Sequence, residues 1–411
     1  MTTSIQPTHD EDQPSNRNPG RLSRGFILPE LATSLDPFPW YRTMRESEPI
    51  HYDARNNLWH IFRYNDVQRV LTDPTNFSSE VAQSTMTEEE KKQSNFEPSI
   101  LNLDPPRHRQ LRSLVTQAFT PRTVARLAPR ITEIVNEHLD RVANTGKIDI
   151  IADLAYPLPV IVIAELLGVP PHDRDRFKHW SDAVVSPNTQ ESRQAIREMR
   201  GYLKEITDQH RIDPKEDLIT ALLSAQINGK HLTERELMSF YVLLLVAGNE
   251  TTTNLIGNAL VSFDEYPETI DRLRGNPSLI PTAVEEALRF RSPVQRMIRV
   301  ATADVTIGGQ TIKAGQMVTP WIGSANRDEN QFPDPDSFEI TRTPNRHLAF
   351  GHGIHFCVGA PLSRIEAKIA FEVLFQRFST IRRDRSVPLR RIPAASAFFG
   401  VQELPMTFEL A

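Results

Sequence analysis

The stretch AFGHGIHFCVGAPLSRIEAK, residues 349–368, holds Cys357, the only cysteine in the 411-residue chain. Ala360-Pro361 reads as the first turn of a helix, because proline suits a position whose N–H has no intrahelical partner. Cys357 therefore sits just before a helix N-terminus, where free N–H groups and the positive dipole end favour a thiolate. Gly351, Gly353 and Gly359 permit positive φ and a close backbone approach by a flat, bulky ligand. Phe350 and Phe356 can shield such a sulfur with an apolar shell. That combination suits an iron ligand. A lone cysteine buried as a small hydrophobe is the competing reading. A dinucleotide fingerprint is excluded: Phe356 stands where the third glycine belongs, and no strong strand precedes Gly351.

Outward from this stretch, composition narrows the class. Apolar content of 39% and charged content of 24% fit a globular protein with a large core. A formal net charge of −5 gives no footprint for nucleic acid. One cysteine forms no internal disulfide, fits a reducing cytoplasm, and excludes multi-cysteine zinc or iron–sulfur sites within the chain. The polar, proline-containing N-terminus has no apolar core. It predicts a disordered tail over 1–25, with no signal peptide and no membrane anchor. The most apolar window, SFYVLLLVAGNETTTNLIGNALVSF, carries Asn249, Glu250, three threonines and Asn254 at its middle, which argues against a membrane span.

Periodicity predicts a mainly α protein with a minor β region. DPFPWYRTMRE reads as a helix, followed by two short strands around Asn56-Asn57. Residues 78–100 are polar and aperiodic, the pattern of a long surface lid. Val124, Leu127, Ile131, Ile134, Val135, Leu139 and Val142 follow three-four spacing and predict one helix face. Further helices are expected at 158–168, 173–185, 190–210 and 216–226. Thr233 and Glu236 form a capping box, opening a helix to Phe263 of about 46 Å at 1.5 Å per residue. One more helix ends at Ser292-Pro293. RVATADVTIGGQTIKAGQMVTPW alternates and turns like a small antiparallel sheet. Leu362, Ile365, Ile369, Val373 and Phe378 mark the apolar face of the last long helix.

Phe350 through Gly359 fills every position of F-G-x-G-x-H-x-C-x-G, and on these residues the chain resembles the cytochrome P450 family. The resemblance implies a single-domain P450 fold over 26–411. It also implies haem b held by Cys357 as the proximal thiolate ligand, with Phe350 and Gly351 in the ligand loop and His355 near a propionate. Other segments resemble the family in the same order along the chain. Ala247-Gly248-Asn249-Glu250-Thr251 is similar to the A-G-x-[E/D]-T element lining the distal haem face. There the likeness implies an O2 groove at Ala247 and Gly248, with Glu250 and Thr251 managing proton delivery. Thr251 can bond the Ala247 carbonyl and bend its helix. His108 and Arg112 resemble a propionate-binding H-x-x-x-R element, and Arg299 resembles a third propionate ligand. Glu286 and Arg289 resemble the structural E-x-x-R pair. Ser337 departs from the pattern, because relatives often carry an arginine there that joins the pair; Arg342 or a histidine are the candidates to replace it.

The function implied is an O2-dependent haem-thiolate monooxygenase that hydroxylates a C–H bond of a small apolar substrate. A fatty acid, a terpenoid or a polyketide would fit. Leu244, Met297, Ile298 and Phe398 fall at the family's pocket-lining places. A peroxide-driven peroxygenase and a non-catalytic haem sensor are the alternatives. With no flavin or nicotinamide segment after residue 411, electrons are expected from a separate ferredoxin and its reductase, or a flavodoxin-type donor. Arg107, Arg109, Arg112, Arg364 and Lys368 would form the basic docking patch. A soluble, cytoplasmic monomer is expected.

Overall fold

Thr233 caps the longest helix through its side chain while Glu236 reaches back to the Thr233 N–H, so the capping box forms as its residues require. The computed structural model describes residues 34–81, 99–184, 189–392 and 397–411. The expected tail at 1–25, and most of the expected lid at 78–100, lie outside the described residues.

The chain opens with α1 (Phe38–Ser47), β1 (Ile50–Asp53), β2 (Leu58–Ile61), α2 (Tyr64–Thr72) and β3 (Phe77–Ser78). Next come α3 (Arg107–Ala118), α4 (Pro121–Ala125), α5 (Ala128–Val142), β4 (Lys147–Asp149) and a π-helical turn, Ile150–Ala155. Helices α6 (Pro157–Leu166), α7 (Arg174–Val184), α8 (Thr189–Ile212) and α9 (Leu218–Ser224) follow, then the hairpin β5 (Gln226–Ile227) and β6 (Lys230–His231). The long helix is α10 (Glu234–Glu265), succeeded by α11 (Glu268–Gly275) and α12 (Ile280–Phe290). Strands β7 (Arg299–Ala301), β8 (Val305–Ile307), β9 (Gln310–Ile312) and β10 (Met317–Pro320) lead to the short α13 (Ile322–Ala325). The chain ends with α14 (Ala360–Arg377), β11 (Phe378–Arg383) and β12 (Pro405–Leu410).

Three expectations need correction. The apolar series from Val124 to Val142 spans two helices, because Pro129 sits in the first turn of α5 and starts a new helix there. The stretch before Ser292-Pro293 likewise contains two helices, α11 and α12, separated at Asn276-Pro277. Finally, the 299–321 region does not make its own sheet. Strand β8 pairs with β9 and β7 with β10, both antiparallel, but β7 and β10 also join a five-stranded sheet of order β1-β2-β10-β7-β3. In it β10 runs parallel to β2. Alternation identified these strands, but the outer partners, β2 and β3, lie far upstream in the chain.

Helix α10 runs through the middle, packed against α6, α12, α14 and the π-helical turn. From Thr252 to Phe263 every residue of α10 is buried. Burial on all sides explains why this half lacks an apolar stripe and carries polar residues that must find partners. The main core gathers side chains from α5 to α12 and α14, and a smaller one lies against the sheet. Between α10 and the loop before α14 lies the site.

Candidate functional site

The loop carrying Cys357 is held by backbone bonds. Cys357 N–H donates to the Phe350 carbonyl at 2.8 Å, Phe356 N–H to Gly353, and Gly351 N–H to Leu348. Gly351 and Gly353 take φ of +70° and +72°. A Cβ at Gly353 would also lie 3.0 Å from the Leu71 carbonyl and the Thr72 Cα, so glycine there serves both the turn and the contact with α2. The Cys357 side chain is exposed to the cleft, yet it is walled closely enough by protein that burial pushes its thiol up. Against that, the backbone N–H groups of Gly359 and Ala360 and the positive charges of Arg112 and Arg364 pull it down. All four favour the anion.

Beside this loop the structure gathers two arginines and two histidines from separate segments. His108 and Arg112 come from α3, Arg299 from β7 and His355 from the cysteine loop. The imidazoles of His108 and His355 lie 4.2 Å apart, centre to centre. His108 is buried with neither ring nitrogen partnered among the described residues. His355 Nε2 bonds Ser79 Oγ at 3.0 Å. Burial pushes His355 down to about 3, helped by Arg299, His108 and Arg112. It pushes Arg299 down to about 10. The nearby carboxylate, Asp104, is already taken by Ser78 Oγ and Ser79 N–H. A buried arginine, a second arginine beside it and a buried histidine with unpartnered ring nitrogens offer donors to an anion from outside the chain. The residues present thus fit haem: Cys357 would meet its iron as a thiolate, and this cluster would meet its propionates. Arg112 departs in part, since its Nη2 donates to the Phe356 carbonyl.

Across the cleft, Thr251 Oγ1 donates to the Ala247 carbonyl at 2.8 Å. Glu250 is half-buried, with burial pushing its carboxyl up. Ala247 is exposed, whereas the vacant Cβ position of Gly248 points into Ile163 of α6. Glycine at 248 lets these two helices meet. One residue on, Thr252 Oγ1 donates to Ser363 Oγ at 3.1 Å, tying α10 directly to α14. Half-buried Met297 packs on the sheet's apolar cluster and half-buried Leu244 on the main core. Ile298 and Phe398 are also half-buried, and Phe398 pairs with Val294 through an isolated antiparallel bridge.

Glu286 and Arg289 are fully buried and paired twice, at 2.7 and 2.8 Å. Arg289 also donates to the carbonyls of Asn326, Pro335 and Ser337. A second cluster, Glu285 with Arg364 and His347, lies beside it and was not foreseen. Its members are ordinary helix-surface types in sequence, and only the fold joins them.

Residues 162–400 match the family model described as Cytochrome P450. The chain is 46% identical over 353 residues to a putative cytochrome P450, YjiB, of Bacillus subtilis, covering 83% of this chain and 87% of that one. The chain belongs to the cytochrome P450 family. It is 39% identical over 370 residues to an erythromycin C-12 hydroxylase of Saccharopolyspora erythraea, covering 87% of this chain and 91% of that one. A crystal structure of the P450 CYP109E1 from Bacillus megaterium with testosterone aligns at TM-score 0.84 and 42% identity, covering 90% of this chain and 99% of that one. This P450 is a haem-dependent monooxygenase. When bound, its haem activates O2 at the iron and supplies the oxygen atom inserted into substrate. Among the described residues, no helix is long and apolar enough to cross a membrane.

Proposed function

We propose that Cys357 is the axial thiolate of this P450 and that residues 26–411 form one haem domain. The observation that carries the assignment is Cys357 placed directly before the N-terminus of α14 and open to the cleft, with the buried, unpartnered His108 against His355 of the same loop. His108, Arg299 and His355 hold the propionates, with Arg112 shared between them and the cysteine loop. Phe350, Gly351, Ala247 and Gly248 shape the two walls around the ring. Glu250, whose burial favours the protonated form, supplies protons through the Thr251 hydroxyl. Release of Thr251 from the Ala247 carbonyl frees its O–H for that transfer. Glu286 and Arg289 hold the scaffold. This acid–threonine pair favours O2 with delivered electrons over peroxide.

The substrate is a large, apolar small molecule that Leu244, Met297, Ile298 and Phe398 enclose. Support comes from relatives named for erythromycin and polyketide biosynthesis and from the testosterone-bound neighbour. Electrons come from a ferredoxin with its reductase, or a flavodoxin-type donor, docking near α3, α4 and the cysteine loop. Of the five residues first expected there, Arg107 pairs with Glu236, Arg364 with Glu285 and Lys368 with Glu372, and Arg112 turns inward. Exposed Arg109, Arg122, Arg126 and Arg346, without ion pairs among the described residues, make the better patch. The enzyme works in the cytoplasm as a monomer.

The test is the absorption spectrum of the reduced, carbon-monoxide-bound protein. A thiolate-type Soret band in the wild type, lost in Cys357→Ser, is the expected result. A wild type without that band overturns the assignment. Product formation with a reconstituted redox chain, and not with peroxide alone, separates the monooxygenase from the peroxygenase and the sensor.

A further inference from the structure

Asn258 lies on α10 two turns beyond Thr251, on the same side of the helix and about 10 Å along its axis. It is 1% exposed, and its amide nitrogen donates twice: to the Arg291 carbonyl at 3.0 Å and to the Phe399 carbonyl at 2.9 Å. Two carbonyl acceptors fix the amide orientation, since its oxygen could serve neither. The Phe399 carbonyl lies in one expected pocket segment, 397–399, and the Arg291 carbonyl lies three residues before the other, 294–298. The segments are also joined to each other. Gln295 N–H donates to the Ala397 carbonyl and Phe399 N–H to that of Pro293, both at 2.8 Å, around the Val294–Phe398 bridge. One turn earlier, a Cβ at Gly400 would overlap Asn254, so glycine lets the second segment lie flat on α10. One turn later, Ser262 and Glu265 hold the Arg291 side chain.

We infer that Asn258 is a positioning residue that sets the distance between the proton-delivering turn of α10 and both substrate-facing segments. The inference rests on the pocket assignment proposed above. Two backbone carbonyls on separate segments accept from one side chain, and among the described residues no other hydrogen bond joins both of those carbonyls to α10. Behind this clasp lies a cavity of about 780 Å³, with Phe399, Val401, Phe290 and Val261 in its wall. The segment bearing Phe398 therefore has room to shift on that side when the amide is removed.

The experiment uses two azoles that bind haem iron, so no substrate need be known. Imidazole reports access to the iron, and 4-phenylimidazole also reports the pocket beyond it; each is titrated by its Soret shift. In Asn258→Ala, the expected result is a roughly tenfold change in the ratio of their dissociation constants, the size of one lost buried hydrogen bond. Thr253→Val is the control. It removes a buried bond from α10 to the Ala155 carbonyl, on a different face, and should lower Tm while leaving the ratio unchanged. A ratio within about twofold of wild type in Asn258→Ala overturns the proposal, whatever its Tm. So does an equal change in Thr253→Val, because the effect is then general loosening. If Asn258→Ala does not retain haem, Asn258→Ser, which keeps one donor, is held to the same criterion. Failure of wild type to bind imidazole, or to give the thiolate-type band, overturns the underlying site assignment instead.

Discussion

Arg342 Nε donates to Glu286 Oε1 at 3.2 Å, five residues past the serine that stands where relatives often have an arginine. Glu286 accepts from Arg289 twice, from Arg342, from the Glu339 N–H and from Asn345 Nδ2. Ser337 contributes its carbonyl, which accepts from both arginines. Arg342 supplies the second positive charge on Glu286, which Ser337 cannot.

That network yields the first prediction. Glu286 is fully buried, so Arg289→Ala leaves a carboxylate with most of its compensation gone, at a cost of about 3–5 kcal/mol. Arg342→Ala leaves the Arg289 pair intact and should cost less, about 1–3 kcal/mol. Denaturant unfolding with haem absorbance as the probe ranks the two. Equal losses would mean that Arg342 carries as much of the network as Arg289.

Glu366, three residues after Ser363 on α14, is 1% exposed, and its Oε1 has no partner among the described residues. Burial pushes its carboxyl up to about 8. The folded protein therefore holds a proton that the unfolded chain releases near pH 4.5. By linkage, this group makes the protein less stable as pH rises from about 4.5 to 8, and costs nothing further above that. Glu366→Gln is neutral at every pH and should remove this slope. Its stability relative to wild type then grows from pH 5 to pH 8. Urea unfolding at four pH values checks it, and parallel wild-type and variant profiles would sink the claim.

How much of this was legible in the sequence depended on distance along the chain. The cysteine loop was readable because its function is local: ten consecutive residues supply the turn, the shell and the ligand. The α10 cap was readable for the same reason. Arg342 could only be named as one option, because nothing in 56 residues of separation says which arginine returns to Glu286. The docking patch was drawn from charge alone, and nothing in the sequence says that Arg107, Arg364 and Lys368 have carboxylates beside them. Asn258 passed unnoticed as one polar residue in an apolar run. Its signal was present all the same: a buried amide in a helix must find partners, and its spacing from Thr251 puts it on the same side.

Thr251→Ala removes the hydroxyl that bonds the Ala247 carbonyl without altering the buried half of α10. Reductant should still be consumed, because electron entry does not use this side chain. Product should fall, by roughly a hundredfold if the hydroxyl acts as general acid–base catalysts commonly do. Measuring product formed per reducing equivalent separates this from simple inactivation. Full coupling in the variant would rule out the proton route.

Electron delivery gives the last prediction, and here the ion pairs decide which residues matter. A charge already neutralised by a neighbour contributes little long-range field, while an unpaired one raises the rate of encounter with an acidic partner. Reversing Arg109 and Arg126 together should slow reduction by a ferredoxin roughly tenfold at low salt, with the difference shrinking as ionic strength rises. Reversing Lys368, which is paired at 2.7 Å with Glu372, should change the rate far less. Stopped-flow reduction under carbon monoxide at several salt concentrations reads each rate directly. If Lys368→Glu slows reduction as much as the Arg109 and Arg126 reversals do, partner choice follows total charge on this face. The unpaired arginines would then have no special part in docking.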